Sequence, residues 1–248
     1  MAPTVVLITG ANRGLGLGLL KRYLALPDHI VIALNRNPSH PTSLALSDLP
    51  KGTDTRLIVT KYDANIWQDA SDAVKDLTDN HGITHLDIVI ANIGMAKIYP
   101  FIKDVKREEI LEHLEVNVLG AIAIYQATRE LLEKSPSGKA IYAIIGSSAG
   151  SLSRQPPVPS AAYGASKSML NWYGIRLNEE DQWLNTFVID PGWVQTDTGN
   201  AAAKLWGVEA APLTVDVSCD GMFEVLKGAT KEKYGGKFVL YTGEVQPW

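Results

Sequence analysis

The segment TVVLITGANRGLG (residues 4–16) joins a run of apolar residues to a loop with three glycines. The run is continuous and rich in β-branched residues, which is typical of a strand covered on both faces, as in a parallel sheet. A helical pattern follows the glycines. A strand, a glycine-rich turn and a helix in this order predict the first unit of an α/β fold, with a turn that can bind nucleotide phosphates.

Each glycine of this loop has a predicted task. Gly10 permits a tight turn, Gly14 lets the backbone approach a pyrophosphate, and Gly16 allows close packing of the helix on the sheet. The spacing is Gly-x3-Gly-x-Gly rather than the more familiar Gly-x-Gly-x2-Gly. A plain structural turn is therefore the alternative interpretation. The cofactor-binding candidates of the loop are Gly10, Asn12, Arg13, Gly14, Leu15 and Gly16.

The rest of the chain repeats the alternation of short apolar runs and longer helical patterns. It predicts one domain over residues 1–248: an α/β, Rossmann-type, doubly wound parallel sheet of about seven strands flanked by helices. The Pro-rich segment RQPPVPS (154–160) is too short to be a linker. The further predicted strands are 29–35, 56–63, 86–92, 140–148, 185–192 and 237–243, and the clearest helices are 107–134 and 161–180.

Composition and charge exclude several classes of protein. The net charge of −4 and the single cysteine, Cys219, argue against nucleic acid as a partner, internal disulfides and a cysteine-based zinc site. We expect no metal. The N-terminus lacks the features of a signal peptide, and no run approaches the roughly 18 apolar residues of a membrane span. We therefore expect a cytoplasmic protein that does not enter a membrane.

The end of the second predicted strand carries no acidic residue. An acid there usually binds the ribose 2′-hydroxyl of NAD, but this chain has Asn35 and Arg36 instead. Together with Arg13, Arg36 suits a 2′-phosphate, because guanidinium groups bind phosphate bidentately. We expect NADP(H) rather than NAD(H); the alternative is two solvated surface arginines.

Polar residues and a glycine end the next two strands. Asp63 follows the third strand and is a candidate to accept a hydrogen bond from the adenine amine, or else to cap a helix. Asn92 is expected to fix neighbouring backbone, and Gly94 is expected to leave room for the adenosine ribose.

The segment IGSSAG (145–150) contains Gly-x-Ser-x-Gly centred on Ser148, which is the nucleophile pattern of α/β-hydrolases. That mechanism needs an acid and then a histidine after the serine. All five histidines precede Ser148, so a nucleophilic serine is disfavoured. They are His29, His40, His81, His85 and His113.

The segment YGASK (163–167) places Tyr163 and Lys167 one helical turn apart on a shared face. A free tyrosine has a pKa of about 10, and a nearby ammonium favours its phenolate. We therefore expect Lys167 to lower the pKa of Tyr163 and to tune it for proton transfer. An amphipathic helix with an incidental Tyr and Lys is the alternative.

Taken together, TGANRGLG, ANIG, EVNVLG, the Ser pair, YGASK and DPGWVQT resemble the short-chain dehydrogenase/reductase family. The resemblance covers essentially the whole chain, in order and at similar spacing. Within the family, ITGANRG and PGWVQTD are similar to the fungal ketoreductases of the norsolorinic acid ketoreductase type.

The resemblance implies a role for each residue of a Ser-Tyr-Lys-Asn site. Tyr163 would be the general acid, Lys167 would bind the nicotinamide ribose, and Asn117 would hold a water, while it could also bend its helix. The family serine orients the substrate oxygen. Its position three residues before a glycine favours Ser147, with Ser148 as the alternative and a substrate contact.

The segment DPGWVQT (190–196) would lie beside the nicotinamide. We expect Pro191 and Gly192 to shape a turn there, and Val194 and Thr196 to bind the carboxamide. Residues 195–214 are a predicted substrate lid. Trp193 and Trp206 are candidates to contact a flat or aromatic substrate, or else to pack.

The resemblance implies reduction of a small-molecule ketone, such as an aromatic polyketide, by NADPH in secondary metabolism. Two alternatives remain: an enzyme of this fold that isomerises or cyclises a natural-product intermediate, and a non-enzymatic NADP(H) sensor. Apolar surface on helices 107–134 and 161–180 also predicts a homodimer or homotetramer.

Overall fold

An eight-stranded sheet forms the centre of the protein, in a computed structural model that describes residues 2–248. The spatial order is β3-β2-β1-β4-β5-β6-β7-β8. All neighbouring pairs are parallel except β7 and β8, which are antiparallel. The strands are β1 (Thr4–Thr9), β2 (His29–Asn35), β3 (Arg56–Lys61), β4 (Ile88–Ala91), β5 (Ile141–Ile145), β6 (Asn185–Asp190), β7 (Phe238–Leu240) and β8 (Val245–Gln246).

Helices cover both faces of this sheet. Within residues 2–248, none of them is both long enough and apolar enough to span a membrane. Short 3-10 turns occupy Ala45–Asp48 and Ser148–Gly150. The α-helices are α1 (Gly14–Leu24), α2 (Pro41–Leu44), α3 (Trp67–His81), α4 (Arg107–Leu114), α5 (Gly120–Glu133), α6 (Tyr163–Glu180), α7 (Asp197–Leu205), α8 (Val215–Lys227) and α9 (Lys231–Tyr234).

The continuous apolar strands are explained by the two cores that they separate. Along β1, Val5 and Leu7 pack into the core under α3, α5 and α6, while Val6 and Ile8 pack into the core under α1 and α8. All four are buried. Side chains of a strand alternate between faces, so a strand covered on both sides must be apolar at every position. The predicted parallel sheet is confirmed.

Two features differ from the sequence prediction. The helix predicted over 107–134 is interrupted at Glu115–Leu119 by a π-helical turn, which separates α4 from α5. The sheet also gains β8 at its edge. This strand is only two residues long, so its sequence carries no usable alternation.

The strand order places the functional crevice. β1 lies between β2 and β4, so the chain crosses to opposite sides of β1 as the sheet is built. Ligands of such folds bind outside the carboxyl ends of the strands at this switch point. The glycine loop follows β1, and the segment beginning with Asn92 follows β4, so both meet at that edge.

Candidate active site

The glycine loop has the backbone conformation that its sequence predicts. Gly10 and Gly14 have φ angles of 62° and 53°, in the left-handed region that favours glycine. A Cβ atom on Gly16 would lie 2.2 Å from the Gly10 carbonyl oxygen. The Asn92 side chain donates a hydrogen bond of 2.9 Å to the carbonyl of Thr9, which confirms that Asn92 fixes the neighbouring backbone.

Asn35 supports the loop from below rather than facing outward. Its side chain is buried, accepts a 3.0 Å hydrogen bond from the Ala11 N–H and donates one to Ser43. Arg36, the next residue, is exposed. Arg13 is also exposed and forms a 3.1 Å ion pair with Asp197 at the start of α7. The guanidinium groups of Arg13 and Arg36 are therefore the cations that a cofactor can reach at the end of β2. Asn35 can affect cofactor binding only by holding the backbone of the glycine loop.

Three further cofactor-binding candidates, Asp63, Asn12 and Leu15, follow β1 or β3. Asp63 accepts hydrogen bonds from the backbone and side chain of Asn65, and the helix that follows is capped at Ile66 instead. Asn12 donates a 2.7 Å hydrogen bond to Thr42. Leu15 is half-buried against the core under α1.

The Tyr163 and Lys167 side chains meet Ser147 at the carboxyl end of β5. Tyr163 begins α6, and Lys167 lies one turn later with its Nζ 5.9 Å from the centre of the tyrosine ring. The Lys167 Nζ donates a 2.7 Å hydrogen bond to the carbonyl of Ile145. The structure thus brings together the three side chains of the predicted site: Tyr163 and Ser147, expected to act on the substrate oxygen, and Lys167, expected to bind the nicotinamide ribose.

The two candidate serines face different groups. The Ser147 hydroxyl hydrogen bonds to Tyr163, which lowers the pKa of the phenol in part. The backbone N–H of Ser148 instead donates to the buried carboxylate of Asp190. The geometry therefore favours Ser147 over Ser148 as the partner of Tyr163.

The expectation that Lys167 lowers the pKa of Tyr163 is wrong for this structure. Burial dominates and raises the pKa of Tyr163 well above its ordinary value, and the charge of Asp190 adds to this. The Lys167 Nζ is directed to the Ile145 carbonyl. Burial lowers the pKa of Lys167 to about 8, against the opposing effect of Asp190. At neutral pH the phenol is protonated and the amine is mostly an ammonium.

Asn117 lies in the π-helical turn and is fully buried. Its side-chain oxygen accepts from the Met95 N–H at 2.7 Å, and its amide group donates to the Met95 carbonyl and to Ser166. The prediction that Asn117 disturbs its helix is confirmed, since a π turn adds a residue to the helical turn. The side chain thereby ties the segment after β4 to α6.

The turn after β6 faces the glycine loop. Gly192 has a φ angle of 77°, and the hydroxyl of Ser218 donates to the carbonyl of Pro191. Val194 is buried and pairs with Leu213 in an isolated bridge.

Thr196 caps α7 by accepting from the Gly199 N–H at 3.1 Å. A Cβ atom on Gly14 would lie 3.4 Å from the Thr196 methyl carbon, so the start of α7 lies against the glycine loop. With the Arg13–Asp197 pair, this contact anchors one end of the segment 195–214 beside that loop.

A chain of aromatic rings connects Trp206, at the end of α7, to Tyr163. Trp193 contacts Trp206 edge to face at 5.4 Å between centroids, and Trp206 contacts Tyr99 at 5.3 Å. Tyr99 in turn contacts Tyr163 at 6.3 Å. Sequence reasoning missed Tyr99, because it lies in an irregular segment after β4 that has no periodic pattern.

The crevice fits a dinucleotide. The left-handed glycines and the N-terminus of α1 present backbone N–H groups at the end of β1, where phosphates bind. Gly94 keeps the space above Lys167 open, since a Cβ atom there would lie 3.4 Å from the Lys167 Nζ. This cradle and the ammonium beside it suit a phosphate-linked ribose.

Comparison with known proteins agrees with this geometry. The sequence model of the short chain dehydrogenase family matches residues 4–205. The chain belongs to this family. It is therefore an oxidoreductase-type enzyme that works with a nicotinamide cofactor.

Curated members of the short chain dehydrogenase family align with nearly the whole chain. The norsolorinic acid ketoreductase of Dothistroma septosporum is 39% identical, over 99% of this chain and 92% of its own. That of Aspergillus parasiticus is 37% identical, over 99% and 91%. Such relatives connect the chain with ketoreductases of fungal secondary metabolism.

Solved structures of family members share the fold. The NADPH-bound carbonyl reductase from chicken fatty liver has a TM-score of 0.87 and 26% identity, with all of both chains covered. The carbonyl reductase Sniffer of D. melanogaster has a TM-score of 0.86 and 27% identity, over 99% of this chain and 100% of its own.

Proposed function

We propose that the chain catalyses the NADPH-dependent reduction of a ketone on a flat aromatic molecule to a secondary alcohol. The observation that carries this proposal is the meeting of Tyr163, Ser147 and Lys167 in a crevice that faces the glycine loop. A hydrolase would need a histidine beside the serine. Instead, the Ser147 hydroxyl is paired with a phenol.

The protonation states of Tyr163 and Lys167 at neutral pH define what the protein's own side chains do in this reaction. NADPH, when bound, supplies a hydride to the carbonyl carbon. The Tyr163 hydroxyl donates its proton to the carbonyl oxygen, and the Ser147 hydroxyl donates a hydrogen bond to the same oxygen. Lys167 would hold the nicotinamide ribose through its ammonium, which is present at neutral pH. Asn117 fixes the backbone that carries Gly94 toward the cofactor.

The cofactor preference rests on Arg13 and Arg36. Both are exposed at the end of the crevice where the adenosine ribose would lie, and Asn35 has its side chain turned into the loop. The NADPH of the chicken carbonyl reductase supports the same preference. Pro191, Gly192, Val194 and Thr196 would hold the carboxamide end.

The substrate class rests on the aromatic chain. Trp206 and Tyr99 form a wall that ends at Tyr163, the proton donor. Edge-to-face rings leave apolar ring surfaces against which a planar aromatic molecule can stack. The names of the ketoreductase relatives support this class. Residues 195–214 would then act as a lid that carries Trp206 onto the substrate.

An exposed apolar patch supports self-association. Leu152, Met169 and Trp172 are 71%, 39% and 57% exposed, and the last two lie on α6. Burial of this patch between two copies of the chain would remove apolar surface from water.

The direct test is NADPH oxidation with a panel of aromatic polyketide ketones, quinones and aliphatic ketones, with product analysis. We expect a secondary alcohol and one equivalent of NADP⁺ per product from an aromatic ketone. Product formation without NADPH oxidation would instead indicate isomerisation or cyclisation. Tight NADPH binding without turnover of any ketone would indicate a sensor.

Substitution of Arg36 by Ala is expected to weaken NADPH binding about tenfold, because one charge-assisted contact to a phosphate contributes about 1.5–3 kcal/mol. NADH lacks the 2′-phosphate, so its binding should change by no more than about twofold. Arg13→Ala should act in the same direction. Fluorescence titration gives both dissociation constants. Arg56→Ala is the matched control, since it removes the same charge at the opposite edge, where β3 begins. Equal losses for the two cofactors would refute the 2′-phosphate assignment.

Substitution of Trp206 by Ala is expected to raise KM for polycyclic aromatic ketones about tenfold or more, and to change KM for small aliphatic ketones little. The removed ring is part of the wall beside Tyr99, and an aromatic pair contributes about 0.5–1.5 kcal/mol beyond the surface area that it buries. Steady-state kinetics on both substrate classes measure the difference. Trp67→Ala, at the start of α3, is the control. An equal change for both classes would assign Trp206 to packing.

A further inference from the structure

Asp190, the last residue of β6, is a buried acid that the mechanism above does not use. Its side chain is 4% exposed, and it belongs to none of the ion pairs among residues 2–248. Its carboxylate accepts hydrogen bonds from the backbone N–H groups of Gly192, at 2.9 Å, and Ser148.

A buried carboxylate is an unfavourable way to hold a turn if hydrogen bonding is its only role. Burial of an ionised carboxylate without a cation costs several kcal/mol. A neutral Asn would make the Gly192 hydrogen bond without that cost. Burial accordingly raises the pKa of Asp190, and the two backbone hydrogen bonds oppose the effect. The geometry of the turn therefore does not explain why this position carries a charged Asp190 rather than a neutral Asn.

Strand register brings Lys167 near this charge, although the two side chains form no direct ion pair. The Lys167 Nζ binds the Ile145 carbonyl, Ile145 pairs with Ile189, and Asp190 is the next residue. The two charged side chains thus reach the same edge of the sheet, from α6 and from β6. Each opposes the shift that burial produces in the other's pKa.

Other ionisable groups face this pair from the surrounding elements. Tyr163 lies on α6 and Tyr99 in the segment after β4, and both are neutral phenols at neutral pH because burial raises their pKa values. Arg154, in the segment after β5, lowers the pKa of the Asp190 carboxylate more than Lys167 does, but the Arg154 side chain is exposed. Lys167 is therefore the buried cation among these groups.

We propose that Asp190 is a positioning residue of the reductase site, whose carboxylate holds the turns after β5 and β6 together and is the fixed countercharge of the Lys167 ammonium. The inference rests on the proposed function, because the ammonium matters for catalysis only if the site reduces a carbonyl. Burial is the main cause of the raised pKa of Tyr163, and the negative charge of Asp190 adds to it, so the hydroxyl stays in the proton-donating form.

The test is the substitution Asp190→Asn, which keeps the size of the side chain and removes its charge. In protein labelled with ¹³C at the lysine Cε, Lys167 should titrate near pH 8, and its resonance is identified by its loss in Lys167→Met. In Asp190→Asn we expect the midpoint to fall by about one pH unit, the scale for loss of a neighbouring opposite charge. An unchanged midpoint in the folded variant would overturn the proposal.

Asp181→Asn is the matched control. Asp181 is also a buried acid, but it lies at the far end of α6 and binds Arg129 and Tyr125. Its loss should leave the Lys167 midpoint in place. If Asp181→Asn moved that midpoint as far as Asp190→Asn does, the specific pairing would be refuted.

Should Asp190→Asn fail to fold, Lys167→Met tests the same pair from the other side. Without the ammonium, the ¹³Cγ resonance of Asp190 should titrate at higher pH than in the wild type, and an unchanged midpoint would overturn the countercharge. Neither titration needs turnover. Shifted midpoints in a protein that reduces no ketone would therefore support the pair and refute the proposed function.

Discussion

Replacement of Tyr163 by Phe is expected to lower kcat for ketone reduction by about 10²- to 10⁴-fold, the usual contribution of a positioned general acid. The phenyl ring keeps the edge contact with Tyr99 and removes only the hydroxyl that bonds to Ser147. The dissociation constant of NADPH should stay within about twofold of the wild-type value. Rapid kinetics with an aromatic ketone, and fluorescence titration with NADPH, separate the two effects.

Tyr173→Phe is the control for this substitution, because Tyr173 is half-buried on the same helix and its ring contacts Trp172. It should retain wild-type turnover. Wild-type rates in Tyr163→Phe would remove the phenol from the mechanism. A large loss of NADPH affinity in that variant would show instead that the hydroxyl mainly binds cofactor.

The pH dependence of the wild-type reduction has a defined direction. Burial raises the pKa of Tyr163, so its proton is available throughout the neutral range. The pKa of Lys167 is about 8, so the ammonium is present below that pH and is lost above it. Reduction should therefore decline on the alkaline side of pH 8.

The sheet and its helices were largely predictable, because apolar runs covered on two sides leave an unambiguous pattern in the sequence. The glycine loop was equally predictable, since Gly10, Gly14 and Gly16 each satisfy a separate steric need. The break in the long helix at Asn117 was predictable only as a bend. Its π geometry depends on the backbone of Met95, which lies 22 residues earlier.

Other features of the site depend on contacts between distant segments. Tyr99 joins the aromatic chain only because an irregular segment passes beside Trp206. The raised pKa of Tyr163 arises from burial by the assembled fold, which the spacing of Tyr163 and Lys167 does not encode. In the sequence, Asp190 is simply the residue before a Pro-Gly turn. Only the register of β5 with β6 in the folded sheet brings it near Lys167.

Substitution of Gly16 by Ala tests the loop on which cofactor binding rests. Gly16 lies inside α1, where Ala is intrinsically favoured over Gly by about 1 kcal/mol. The new Cβ atom would however lie 2.2 Å from the Gly10 carbonyl oxygen and 2.6 Å from the Asn92 amide nitrogen. The first of these is backbone, so the loop must move, and overpacking of this kind costs about 1–3 kcal/mol.

The steric cost in Gly16→Ala should exceed the helical gain and lower Tm by several degrees, since 1 kcal/mol corresponds to about 2–4 °C in a chain of this size. NADPH affinity should fall more than about tenfold, because the displaced Gly10 turn carries the N–H groups that face the phosphates. Calorimetry and fluorescence titration measure the two losses. Gly228→Ala is the control, because its φ angle is −92° and its new Cβ atom would approach no atom closer than 3.4 Å. A Gly16→Ala protein as stable as that control, with wild-type NADPH affinity, would show that the helix does not need this close approach to the loop.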